Sequence, residues 1–189
     1  MRPPRIGIAG SAGTGKTTLA GMAAARLGLP LHEEPMRARL AAGFDLHALT
    51  REGHRALLRA DALDLARRAA GDAGLVADRT PLDYAAFWLC NGFAVEDPAA
   101  TAALLEAAVA AVADFTLVVL APWGVLAPEA DGVRSTDPWH QLHFHAVVAE
   151  LARRWVPPSR LLALPDAPLA PEARLALLLE RLGSGEAGD

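Results

Sequence analysis

Lysine is nearly absent from this chain. Of its 18 basic side chains 17 are arginine, and the one lysine is Lys16. Where arginine serves as every other cation, a surviving lysine marks a place that needs a compact ammonium rather than a planar guanidinium. Cysteine is as scarce. Cys90 stands alone, which excludes an intramolecular disulfide and fits a reducing compartment. Aromatic residues make up 5% of the 189 residues, and the hydrophobic fraction of 52% leans on alanine, so it overstates the available core. No block of basic residues occurs and the formal net charge is −4, which argues against a general nucleic-acid or anionic-membrane binder. No apolar run reaches the length needed to span a bilayer. Met1–Arg5 starts like a signal peptide, but the apolar run that follows, Ile6–Ala9, is too short for its hydrophobic region. The expectation is a soluble cytoplasmic protein with one domain over residues 1–183 and a disordered tail at 184–189.

What is present is an alternation. Arg5–Ala9 reads as a buried strand, and 17–27 as a helix ending at Gly28 and Pro30. A weak strand at 31–34 leads into a largely helical region, 35–70, with a break near Gly43–Asp45. Further strands are expected at 74–78, 115–120 and 161–164. Helices are expected at 81–89, 98–114, 138–155 and 171–182, all four with proline in the first turn. Five strands alternating with helices imply an α/β fold, a parallel sheet covered on both faces. The Gly/Pro-rich connection at 122–137 is long for a compact domain and is expected to be a lid. The alanine-rich helix 98–113 suits packing or a subunit interface, which allows a homodimer.

The lone lysine sits in a motif. Gly10, Ser11, Ala12, Gly13, Thr14, Gly15, Lys16 and Thr17 fit G-x-x-x-x-G-K-[ST] at every fixed position, between an expected strand and helix. Such glycines let successive backbone N–H groups turn toward one anion, and the helix start adds its positive dipole end. Lys16 would neutralise β- and γ-phosphate charge, Thr17 would offer its hydroxyl to Mg²⁺, and Thr18 continues the cradle. The ligand is therefore a nucleoside triphosphate. Guanine-reading N-K-x-D or T-K-x-D segments need a second lysine that does not exist, so the expected nucleotide is ATP.

Acidic residues end the neighbouring strands, where ligands of doubly wound sheets bind. Asp78 follows Leu75–Ala77 as an acid after an apolar strand, suited to hold Mg²⁺; its other reading is the cap of the next helix, though Thr80 is better placed for that. Glu34 is either a base that accepts a proton from an acceptor hydroxyl or a solvated acid at a strand end. Arg37 and Arg79 either bind substrate or pair with these acids.

Gly10–Thr17, Glu34-Pro35-x-Arg37 and Asp78-Arg79-Thr80 together resemble the P-loop nucleoside and nucleotide kinases, deoxynucleoside kinases among them. With Asp78–Tyr84 and Asp131–Arg134, the chain is most similar to the small AAA-type ATPase/kinase family related to the ribosylnicotinamide kinase domain of the NadR regulator. That resemblance implies a P-loop NTPase three-layer sandwich with strand order 2-3-1-4-5. It implies an enzyme that uses ATP and Mg²⁺ on a small nucleoside-like acceptor. Glu34 would be the base, Arg79 would hold substrate or the transferring phosphate, and Arg134 would lie on the lid. The alternative is a regulatory ATPase that switches a protein partner. His140, His143 and His145 read as helix surface or lid-facing donors rather than zinc ligands, and Gln141 or His145 could meet nucleotide. Tyr84, Phe87 and Trp88 either border the acceptor or pack the core.

Overall fold

The computed structural model describes residues 3–126 and 137–186. Five strands form one parallel sheet: β1 (Arg5–Ala9), β2 (Leu31–His32), β3 (Leu75–Ala77), β4 (Leu117–Leu120) and β5 (Leu161–Ala163). Their order across the sheet is β2-β3-β1-β4-β5, as the resemblance implies. The strands are short, and β4 begins at Leu117 rather than Phe115.

Helices cover both faces. On one side lie α1 (Lys16–Leu27) and α8 (Pro171–Glu186). Along β4, Leu117 and Val119 join that side with Leu19 and Leu178, while Val118 and Leu120 face the other. This is the period-two alternation of a strand buried on both faces. The opposite layer contains α3 (Arg51–Ala70), α4 (Pro81–Cys90), the one-turn α5 (Phe93–Glu96), α6 (Pro98–Val112) and α7 (Pro138–Trp155). The few large side chains gather there: Trp88, Phe93, Phe115 and Phe144 are all buried. Trp88 and Tyr84 are thus core residues, and the Trp88 indole donates to Thr101 Oγ1 at 2.7 Å.

The helical stretch after β2 divides as expected. The short α2 (Pro35–Ala41) ends before Gly43, a single 3₁₀ turn spans Leu46–Ala48, and α3 starts at its Thr50 cap. At the carboxyl terminus α8 continues through Gly183 to Glu186, with the Ser184 hydroxyl donating to the Arg181 carbonyl at 3.0 Å, and residues 187–189 of the expected tail lie outside the described residues. The expected lid lies mostly at 127–136, outside the described residues, and Arg134 with it. Among the described residues no helix is long and apolar enough to cross a membrane.

One close approach positions the site. A Cβ on Gly7 would stand 2.7 Å from the Thr80 methyl and 3.0 Å from the Phe115 ring. Glycine at the middle of β1 therefore lets the start of α4 press against the central strand, directly behind the phosphate loop.

Candidate active site

The carboxyl ends of β1, β2 and β3 open onto one cavity of about 700 Å³. Its floor is Ser11–Thr18, the loop between β1 and α1. Gly13 and Gly15 adopt positive φ of 74° and 81°, and a Cβ on Gly13 would meet no atom within 4 Å. Those backbone angles are cheap only for glycine, and they turn the loop into a concave nest of N–H groups. Lys16 is buried in it, with its Nζ donating to the Ser11 carbonyl at 2.6 Å. Gly10 stands at the start of the loop, where β1 ends. Its N–H donates to Asp83 Oδ1 at 3.2 Å and its carbonyl accepts from Arg79 at 2.8 Å.

Burial and the nearby Arg79 charge lower the Lys16 pKa from 10.5 to about 8, against the opposing pull of Asp78 and Glu34. An unfolded lysine keeps its proton up to its ordinary value, so the ligand-free fold gains stability as the pH rises from about 8 toward 10.5. Phosphate binding favours the ammonium and acts in the opposite direction. A phosphate-bearing ligand that binds this loop at pH 8.5 is therefore expected to take up at least about half a proton per site, and close to none once Lys16→Arg removes the titrating group. Calorimetry in buffers of different ionisation enthalpy reads this directly. Identical uptake in both proteins would refute it.

Thr17 and Asp78 come together as expected. The Thr17 hydroxyl donates to Asp78 Oδ2 at 2.5 Å, and Asp78 Oδ1 is buried without a partner. A hydroxyl oxygen beside an orphaned carboxylate oxygen is a hard-donor pair suited to a divalent cation. Arg37, on α2, also reaches Thr17 Oγ1, at 3.1 Å.

Glu34 caps α2 by position, but its carboxylate makes no capping bond. It turns instead to Arg79: Nε and Nη2 approach Glu34 Oε1 at 3.0 Å and 2.9 Å. Both contacts fall on Oε1, which leaves Oε2 for the cavity that Glu34 lines. Burial alone would raise the Glu34 pKa, but Arg79, Lys16 and Arg37 outweigh it and hold the carboxyl below its usual range. It is ionised at neutral pH. Glu33, next in sequence, is exposed.

Arg79 is the hub. Its Nη1 reaches Asp83 Oδ1 at 3.2 Å as well as the Gly10 carbonyl. Its guanidinium carbon lies 4.9 Å from the Phe87 ring centre and 5.6 Å from that of Phe144. It is also the one non-glycine residue with positive φ, 144°, among the described residues. A side chain in that backbone region costs on the order of 1–3 kcal/mol and persists only where its surroundings fix it. Asp83, wholly buried, does so: it takes the Thr80 N–H at 2.9 Å, the Thr80 hydroxyl at 2.7 Å, the Gly10 N–H and Arg79. Sequence reasoning missed Asp83 as a site residue. Its signal was a position three residues after Thr80, the reciprocal spacing of a helix-start box.

The remaining wall is apolar. Met36, Leu40, Leu46, Phe87 and Phe144 line it, with His140 and Gln141 at the start of α7. Of the aromatic trio weighed for the acceptor, only Phe87 reaches the cavity, and Gln141 rather than His145 does so on α7.

A parallel 2-3-1-4-5 sheet with a lysine-bearing glycine loop at its carboxyl edge is the P-loop kinase fold. Residues 5–162 match the family model AAA_28, described as an AAA domain, and the chain belongs to that family. No curated protein matches it. Among solved structures, NadR in complex with NAD and AMP-PNP is similar at TM-score 0.67 and 18% identity. That match covers 96% of this chain, which spans only 50% of the NadR chain. Deoxyadenosine kinase from M. mycoides matches at TM-score 0.61 and 15% identity, over 95% of this chain and 98% of its own. Shikimate kinase from Acinetobacter baumannii, in complex with shikimate, matches at 0.63 and 15%, over 96% and 94%.

Proposed function

We propose that this protein is a phosphotransferase that moves the γ-phosphate of ATP to a hydroxyl of a small nucleoside-like acceptor. The observation that carries this reading is that Glu34 and the Lys16 loop share one cavity, with free volume between the loop and the apolar wall. In it, the Ser11–Thr18 backbone and Lys16 hold the phosphates. Glu34, ionised and with Oε2 uncommitted, orients the acceptor hydroxyl and takes its proton. Thr17 and Asp78 would hold Mg²⁺, which when bound offsets charge on the transferring phosphate. Arg79 fixes Glu34 and adds positive charge at the edge of the loop. Arg134 is proposed to close over the phosphates from the 122–137 connection. The apolar wall of Met36, Leu40 and Phe87 suits a ring-shaped acceptor with an apolar face better than a chain of hydroxyls. Such a ring is present in the nucleotide products bound by the M. mycoides kinase and in the shikimate bound by the A. baumannii one.

The test is ADP release from ATP and magnesium, with and without nucleosides, nucleotides, ribosylnicotinamide and other small hydroxylated compounds. Acceptor-dependent release supports the proposal. Turnover that ignores every acceptor but responds to a protein partner would replace it with a nucleotide switch. In the kinase, Glu34→Gln is expected to lower kcat about 10²–10⁴-fold while the ATP dissociation constant moves little. A fully active Glu34→Gln enzyme removes Glu34 as the base.

A further inference from the structure

Behind the phosphate loop stands a cation that neither the motif nor the acceptor site accounts for. Arg174 lies in the first turn of α8, and only 3% of its surface is exposed. Its Nε donates to the Leu169 carbonyl at 3.2 Å and its Nη1 to the Thr14 carbonyl at 2.7 Å, while Nη2 is buried without a partner. Among the described residues no carboxylate forms an ion pair with it. The placement is unfavourable three times over: the charge is buried, it is unpaired, and it sits at the positive end of a helix dipole.

The contact with Thr14 has a geometric consequence. No described peptide bond is cis, and in a trans peptide the carbonyl and the following N–H point in opposite directions. Pinning the Thr14 carbonyl toward Arg174 therefore turns the Gly15 N–H away from it, in a peptide whose two residues both line the cavity while Arg174 does not. A Cβ on Gly15 would come within 3.2 Å of Nη1, so the loop and the guanidinium are in direct register.

We infer that Arg174 is a positioning residue for the nucleotide: it clamps the Thr14–Gly15 amide toward the phosphates, and their negative charge completes its own. This rests on the proposal that the cavity takes a nucleoside triphosphate, but not on the identity of the acceptor. It also accounts for the tolerance of an unpaired buried cation, since the counter-charge arrives with the ligand.

The experiment is calorimetric titration of ATP, ADP and AMP into the wild-type protein, Arg174→Gln and Arg174→Lys, without acceptor, alongside their melting temperatures. Arg174→Gln is expected to weaken ATP about tenfold, ADP less, and AMP least, because the effect follows phosphate charge. Arg174→Lys keeps the charge and is expected to hold ATP within about threefold of wild type. A merely structural role would lower the melting temperature and weaken all three ligands alike. That pattern, or an unchanged ATP constant in Arg174→Gln, overturns the inference. If Arg174→Gln does not fold, Arg174→Lys decides: equal losses for ATP and AMP overturn it, and retained ATP affinity supports it. A wild-type protein that binds no ATP sinks the proposed function together with this inference. A wild type that binds ATP, with a flat series in the variants, sinks this inference alone.

Discussion

Arg79→Ala is expected to unfold roughly 6–12 °C below the wild type and to lose the proposed phosphoryl transfer. Glu34 and Asp83 both face this guanidinium, and Asp83 is fully buried. Removing one partner of a buried pair leaves the other charge uncompensated, at a cost of about 3 kcal/mol or more. In a chain of this size each kcal/mol shifts the melting temperature by about 2–4 °C. The strained backbone supplies a sharper form of the test. Glycine normally destabilises relative to alanine, but at φ 144° the order reverses, because only glycine escapes the strain. Arg79→Gly should therefore be more stable than Arg79→Ala by about 1 kcal/mol or more, although both lack the ion pairs. Urea unfolding of the two variants measures the difference. If alanine proves the more stable, the backbone there is not strained. If both match the wild type, the Glu34–Arg79–Asp83 network does not hold this edge of the sheet.

The second large effect concerns the lone lysine. Lys16→Ala should lower kcat about 10²–10³-fold, the scale seen when one preorganised donor is removed from developing charge. Unlike Arg79→Ala, it should leave the ligand-free fold intact or raise its stability. The ammonium is buried, and its partly suppressed pKa shows that the fold pays to keep it charged. Paired measurements of turnover and melting separate the two sites: loss of activity with loss of stability at Arg79, and loss of activity alone at Lys16. A Lys16→Ala enzyme with ordinary turnover would place the phosphates elsewhere.

The contrast between these residues also marks what a sequence can carry. The phosphate loop was legible because its function is a backbone shape, and the residues that permit the shape are neighbours in the chain. The element order was legible from apolar runs and from prolines and glycines that punctuate them, and the strand order followed from resemblance. Asp78 and Glu34 were legible as strand-end acids. Their partners were less so, because partnership depends on distance in space. Arg174 meets Thr14 across 160 positions, and Asp83 meets Gly10 across 73, so no local pattern joins them. Phe87 was ambiguous for a related reason. It lies one residue from Trp88 on α4, yet one ring faces the cavity and the other the core, a choice made by the rotation of the helix. Gly10 belongs to the motif, and the bonds that tie its polar groups to Asp83 and Arg79 are again contacts across the chain.

The scarcity of lysine gives the molecule an unusual chemical address. It has a single side-chain amine, and that amine stands in the phosphate loop with its pKa lowered to about 8, where an appreciable share is an uncharged nucleophile. In most proteins acyl donors, aldehydes and reducing sugars distribute themselves over many surface lysines, and the important one is lost among them. Here no other lysine competes. Covalent chemistry that finds a lysine side chain of this protein has found its P-loop.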